Sequence, residues 1–252
     1  MKKFLPIVPL VAGCTLLELL VRLRLVPSFI LPAPSSVLFS LFADWSEYGQ
    51  GFATTSLSAI SGLALSFALG TSFAILISVS PNLRRAFLPY AVFFQTVPVV
   101  ALAPVLVIWF GFGRPTVIAS AFIVSIFPII ANSILGIEST DPRLEELFRL
   151  HRSSRFDLLW KLQLPSALPA IFGGLRIASG LAVIGAIVGE FIAGGGLGEV
   201  VDAARTQQRL DKVFAAVLLS SCLGLILVFL IDLASRLTLR SWYAGERTDS
   251  GD

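Results

Sequence analysis

Apolar positions along this chain gather in long windows, at roughly 4–21, 58–80, 87–110, 116–137, 172–193 and 213–235, separated by short polar stretches. A span needs about 20 mostly apolar residues to cross roughly 30 Å of hydrocarbon. The pattern therefore predicts an all-α, polytopic membrane protein with six transmembrane helices in a single domain, 1–252. Gly62, Ser66, Gly70 and Ser72 in the second window are small enough to let membrane helices approach closely. Between the first two windows, the proline-rich run from residue 26 to 36 predicts extended chain. Val37, Leu38, Leu41, Phe42 and Trp45 then mark one apolar face of a short helix lying at the membrane interface.

The polar stretch 138–170 differs from the other connectors in length and construction. Asp141-Pro142 is a helix start, with an Asp able to cap free amides and a Pro pre-set for the first helical position. Leu144, Leu147 and Phe148 give that helix an apolar stripe. The pattern turns polar at His151-Arg152-Ser153-Ser154-Arg155, and Ser154 with Asp157 has the form of a capping box opening a second helix. That helix carries Phe156, Leu159 and Trp160, and is expected to stop near Leu164-Pro165. Two short amphipathic helices with a basic elbow read either as a docking element or as stripes resting on the membrane surface.

Composition agrees with a lipid setting, at 56% hydrophobic and 14% charged residues over 252 positions. A large soluble catalytic domain beside six spans is excluded by length. The net charge of +3 does not form a stripe for nucleic acid; the cations fall in loops and read as topology signals. With the amino terminus inside, twelve of them (Lys2, Lys3, Arg84, Arg85, Arg143, Arg149, Arg152, Arg155, Lys161, Arg236, Arg240 and Arg247) fall on the inner side. Six (Arg22, Arg24, Arg114, Arg205, Arg209 and Lys212) fall outside, which places both termini in the cytoplasm. Val11-Ala12-Gly13-Cys14 after Lys2 and Lys3 also has the form of a lipoprotein cleavage site, but the apolar run continues past it, so a retained first span is the simpler reading. Cys14 and Cys222 have no thiol near them in sequence and read as small apolar residues.

The 138–170 stretch resembles the cytoplasmic motif of the permeases of binding-protein-dependent ABC importers, which runs Glu-Ala-Ala, three residues, Gly, nine residues, then Ile-x-Leu-Pro. Glu146 takes the Glu position and Leu162-Gln163-Leu164-Pro165 closes the motif, whereas Leu147 and Phe148 replace the alanines and Arg152 replaces the glycine. Further resemblance lies in Phe29-Ile30-Leu31-Pro32-Ala33-Pro34, Gln95-Thr96-Val97-Pro98, Trp109-Phe110-Gly111-Phe112-Gly113, Gly174-Leu175-Arg176-Ile177-Ala178 and Gly196-Leu197-Gly198. These fragments are similar to permeases for nitrate, sulfonates and taurine, and to those for pyrimidine precursors of thiamine and for riboflavin.

The resemblance implies a type I ABC importer permease fold in a multi-pass protein of the bacterial plasma (inner) membrane. It implies a homodimer of permeases, two ABC ATPase subunits that bind ATP and Mg, and an extracytoplasmic solute-binding protein docking on outer loops that include 199–212. Glu145, Glu146, Phe148, Arg149, His151, Arg152, Ser153, Ser154 and Arg155 would form the ATPase-coupling surface. Glycine accepts left-handed backbone angles that cost another residue about 1–2 kcal/mol, so Arg152 must turn differently or tolerate strain.

Polar residues among apolar neighbours are costly unless paired or hydrated, and Gln95, Thr96, Asn132 and Glu190 are candidates for the translocation pathway, with Pro98 and Pro104 freeing backbone carbonyls beside them. Glu190 precedes Gly194-Gly195-Gly196, so holding that turn is its other reading. Glu18, near the end of its span, reads as structural. No phosphate-binding G-x-x-x-x-G-K-[ST] loop, no H-E-x-x-H and no G-x-S-x-G are present, so the chain reads as non-catalytic, with no cofactor or metal of its own. The competing class is a secondary transporter or channel, for which paired membrane charges and an internal repeat are expected and neither is visible.

Overall fold

A computed structural model describes residues 7–27 and 30–240, without the side chains of Ile7, Leu10, Pro81, Leu88, Ala91, Val92, Phe94 and Gln95. Lys2, Lys3, Phe29, Arg247 and the Gln95 side chain thus lie outside the described residues. Among the described residues all regular structure is helical. The order is α1 (Ile7–Arg22), α2 (Pro34–Ala43), α3 (Trp45–Ser78), α4 (Pro81–Thr96), α5 (Val99–Phe110), α6 (Arg114–Glu138), α7 (Pro142–Leu150), α8 (Arg155–Leu158), a π-helical turn (Leu159–Gln163), α9 (Leu164–Ala193), α10 (Gly196–Thr206) and α11 (Leu210–Leu239).

Among the described residues, four stretches are long and apolar enough to cross a membrane: α3, α6, Arg155–Ala193 and α11. The other two predicted spans take different forms. α1 has 16 described residues, and the third predicted span is a broken helix, α4 then α5, interrupted at Val97 and Pro98. Pro98 lacks an N–H and stands extended (φ −69°, ψ 115°) as the N-cap of α5, so the ladder of α4 cannot run through it. Pro104, by contrast, sits inside α5 without breaking it. α3 begins thirteen residues ahead of the predicted window because its polar first turns are packed, with Tyr48, Gly51 and Thr55 buried.

The core is the contact of α3, α6 and α9, and it is built from small residues. A Cβ on Gly62 would meet Ala121, one on Gly136 would meet Ala170, and one on Gly185 or Gly189 would strike the backbone of α6. In lipid the helices gain little by leaving an apolar solvent, so backbone approach and interhelical hydrogen bonds hold them. Ser66 Oγ donates to Phe122 O (2.9 Å) and lies 2.7 Å from Ser125 Oγ, and Ser120 Oγ donates to Gly185 O (2.8 Å). The expectation for Gly62, Ser66 and Gly70 is thus met at the α3–α6 contact, but Ser72 is exposed. Leu223 and Leu227 of α11 complete the same core. Outside it, Leu225, Phe229 and Ile108 are exposed apolar residues suited to lipid.

α2 divides its apolar residues: Val37 and Leu41 pack beside Tyr48, while Leu38, Phe39 and Phe42 point outward. Glu18 fastens the helix to α1, its carboxylate accepting from Ser35 N (3.0 Å), Ser35 Oγ (2.7 Å) and Arg22 Nε (2.7 Å). At the same end of the bundle, Lys212 Nζ bridges Asp44 and Glu47, each at 2.9 Å. One pair of opposite charges does lie within the spans, contrary to the sequence expectation: Arg176 of α9 and Asp232 of α11, 3.4 Å apart. The residues are 56 apart in the chain, and only the α9–α11 packing joins them.

Candidate functional site

The loop 139–163 is a rigid construction at one end of the bundle. Asp141 caps α7 by accepting from Arg143 N (2.9 Å), with Pro142 in the first turn. α7 ends at His151, and Arg152 takes φ +53°. Arg152 N donates to Arg149 O (3.0 Å) and Ser153 N to Phe148 O (3.1 Å), which is a Schellman closure with Arg152 in the left-handed position. Of the two outcomes anticipated for Arg152, the strained one is realised. Replacing Arg152 by Gly should therefore stabilise the elbow by about 1 kcal/mol, read as slower amide exchange over 149–153. Normal transport in that variant would show that no pairing by the guanidinium is essential.

Ser154 opens α8, accepting from Asp157 N (3.0 Å). The capping box is only half formed, since the Asp157 carboxylate is too short to reach back to the Ser154 amide and instead takes the Ser154 hydroxyl (2.6 Å). The expected stop at Leu164-Pro165 is not there. In the π-helical turn the ladder widens, Leu164 N donating to Leu159 O, and the helix passes through Pro165 into α9 without needing its missing N–H.

Glu145 and Gln163 tie the two arms of the loop, Gln163 Nε2 donating to Glu145 Oε1 (2.7 Å). Beside the elbow lies a cleft of about 960 Å³, lined by Glu145, Phe148, Arg149, Ser153, Ser154 and Arg155 from the loop and by Arg84 and Glu138, an ion pair, from α4 and α6. The front of the loop is unpartnered. α7 has no buried residue, Leu147 and Leu150 are 49% and 76% exposed, and Glu146, Arg152 and Arg155 are exposed with no ion pair among the described residues.

At the opposite end, Glu190 is buried and caps the first turn of α10. Its Oε2 accepts from Gly198 N and from Thr55 Oγ1, both at 2.9 Å, while Leu197 N donates to Thr55 Oγ1 (2.9 Å). A carboxylate at a helix N-terminus satisfies free amides and opposes the positive end of the dipole. Gly196, at φ +67°, lies so close that any Cβ would collide with this carboxylate. Glu199 takes Gly195 N (2.6 Å), and Gly113 N reaches Ala193 O (2.9 Å), fixing the α5–α6 turn to the same corner.

A family model for the binding-protein-dependent transport system inner membrane component matches residues 66–240. The chain belongs to this family. It is 38% identical over 202 residues to the formylaminopyrimidine transport permease protein ThiX of Halalkalibacterium halodurans, covering 79% of this chain and 80% of that one. It is 32% identical over 221 residues to the riboflavin transport system permease protein RibX of Chloroflexus aurantiacus, covering 86% and 82%. In fold it is similar to the inward-facing MetNI methionine ABC transporter, with a TM-score of 0.66 at 19% identity over 77% of this chain and 95% of that one. It is a membrane-embedded permease subunit of an ABC importer with the type I importer fold.

In this permease Thr96, Asn132 and Glu190, singled out inside the membrane, each bind locally to a different part of the bundle. Thr96 Oγ1 donates to Phe93 O (2.8 Å) at the end of α4, and Pro98 stands at the break. Asn132 Nδ2 donates to Pro128 O (2.9 Å), and its Cβ packs where Gly174 leaves room, so it secures the α6–α9 contact. Glu190 takes the second of its two readings, holding the glycine turn. Thr55, Ser58 and the Arg176–Asp232 pair were not singled out from sequence. Thr55 sits one helical turn before Ser58 on α3, and only a partner 135 residues away gives it meaning.

Proposed function

We propose that two copies of this permease form the translocation pathway, and that two separate ATPase subunits, which bind the ATP and Mg, grip it through the loop 139–163. The observation that carries this is a scaffolded helix with a bare front. α7 is capped, closed and braced from behind, yet it buries none of its own residues and presents Leu147, Leu150, Glu146 and Arg152 outward. Ordering nine residues into a helix is costly without buried surface, so such a surface is built for a partner.

In this reading Glu146, Arg149, His151, Arg152, Ser153, Ser154 and Arg155 face the motor, while Glu145 and Phe148 hold the loop to its own bundle. The loop then lies in the cytoplasm with both termini, in the bacterial inner membrane. The Glu190 corner and 199–212 lie outside, where a solute-binding protein delivers its cargo. Closure of the ATPases on ATP draws the two loops together and rocks the spans from inward-open to outward-open. Gln95, Thr96 and Pro98, at the break between α4 and α5, line the pathway, and Asn132 and Glu190 keep its walls in register. The relatives' names point to a small polar solute of the pyrimidine-precursor or riboflavin kind. More distant resemblance extends the class to nitrate or sulfonate-like anions.

Co-expression with the candidate ATPase and purification in nanodiscs should give a stable complex of two permeases with two ATPases. Proteoliposomes holding it should take up solute only with the binding protein outside and ATP inside. Uptake that persists without ATP would overturn this reading.

A further inference from the structure

The corner around Glu190 leaves two buried oxygens without partners. A cavity of about 360 Å³ opens between α3, the α5–α6 turn and the Gly194-Gly195 turn, lined in part by Thr54, Ser58, Arg114, Glu190 and Glu199. Ser58 and Glu190 are each only 1% exposed. Ser58 Oγ and Glu190 Oε1 nevertheless find no hydrogen-bond partner within the chain. Serine on a helix commonly satisfies itself on a carbonyl one turn back, as Ser56 does on Phe52 O and Ser125 on Ala121 O. Ser58, on the same helix as Ser56, does not. The second oxygen of Glu190 is fully engaged by Thr55 and Gly198, so its partnerless Oε1 is not explained by the capping of α10.

We propose that this cavity binds a small monovalent cation, held by Glu190 Oε1 and Ser58 Oγ and partly hydrated. Buried charges are normally paired or coordinate a cation, and among the described residues Glu190 Oε1 has no hydrogen-bond partner. Thr54 and Glu199 add further oxygens to a lining otherwise made by Phe112, Val117, Ala193 and glycines. Arg114 on the rim is exposed. A divalent ion fits the donor set poorly. Calcium takes six to eight oxygens, usually including several carboxylates, and zinc takes four protein ligands at a structural site. No group of three or more His, Cys, Asp or Glu among the described residues could hold one. The cavity admits an ion with several waters at about 30 Å³ each, so the protein need supply only two oxygens. Seated beneath the turn that fastens α10 to α3, the cation ties that turn to the bundle.

The test is thermal unfolding of the full-length permease in lipid nanodiscs at constant ionic strength, with Na⁺, K⁺ or NH₄⁺ replacing N-methylglucamine. A saturable rise in Tm of about 3–6 °C is expected in at least one salt at ten times the dissociation constant. Glu190→Gln should abolish it, and Ser58→Ala should weaken the cation's affinity at least about threefold, one lost oxygen ligand. Identical melting of the wild-type chain in all salts would mean that the cavity holds water alone, and would overturn the proposal. A shift retained at full size in both variants would place the ion elsewhere and do the same. Should Glu190→Gln fail to fold, Ser58→Ala decides alone, because Ser58 Oγ makes no bond within the chain whose loss could unfold it. Unchanged cation affinity in Ser58→Ala then sinks the site.

Discussion

Reversing the charge at Glu146, by Glu146→Arg, should leave the permease folded and collapse ATP-driven uptake. Glu146 is exposed on α7 and makes no ion pair among the described residues, so its loss breaks none of the contacts that hold the loop. At the proposed motor interface, by contrast, a like-charge juxtaposition costs several kcal/mol. Even about 2.7 kcal/mol would weaken the grip of the ATPase by about a hundredfold. The neighbouring residue supplies the contrast. Glu145→Arg removes the acceptor of Gln163 Nε2 and should loosen the loop itself, visible as faster exchange over 142–163. Coupled transport at the wild-type rate in Glu146→Arg would remove this loop from the motor interface.

The second large effect is expected at Gly196→Ala. The left-handed backbone costs a non-glycine residue about 1–2 kcal/mol, and a methyl group driven against the Glu190 carboxylate adds about 1–3 kcal/mol of overpacking. A total of about 2–5 kcal/mol is a large share of a typical domain's stability, so Tm should fall sharply and much of the protein should aggregate on extraction. Gly173→Ala is the control, since a Cβ there meets nothing within 4 Å. A Gly196→Ala protein that melts with the wild type would mean that the Glu190 corner is not held as described.

Local chemistry in this chain was legible from sequence, and long-range chemistry was not. Asp141-Pro142 and Ser154 announced their helix starts because a cap depends on neighbours within three residues. The misfit at Arg152 was visible as a residue in a glycine's place, although only the backbone says that the turn kept its shape and took the strain. The continuation through Pro165 was hidden, because whether a proline ends a helix depends on the width of the ladder before it, and a π-helical turn leaves no clear mark in composition. Glu190 could be narrowed to a turn-holder or a pathway residue. Its partners Thr55 and Gly198, and the unpartnered Ser58, become meaningful only when α3, α9 and α10 meet. The Arg176–Asp232 pair escaped for the same reason, since the two residues stand far apart in the chain and meet only where α9 packs on α11.

The continuity of Arg155–Ala193 has a mechanical consequence. These 39 residues form one rod about 58 Å long, with the elbow Arg152–Ser154 at one tip and the Glu190 fastening at the other. A tilt of about 10° around the midpoint swings each tip by about 5 Å in opposite directions. Small inward strokes of the loop and outward strokes of the glycine corner are therefore a single movement, and the π-helical turn sets where along the lever it can flex.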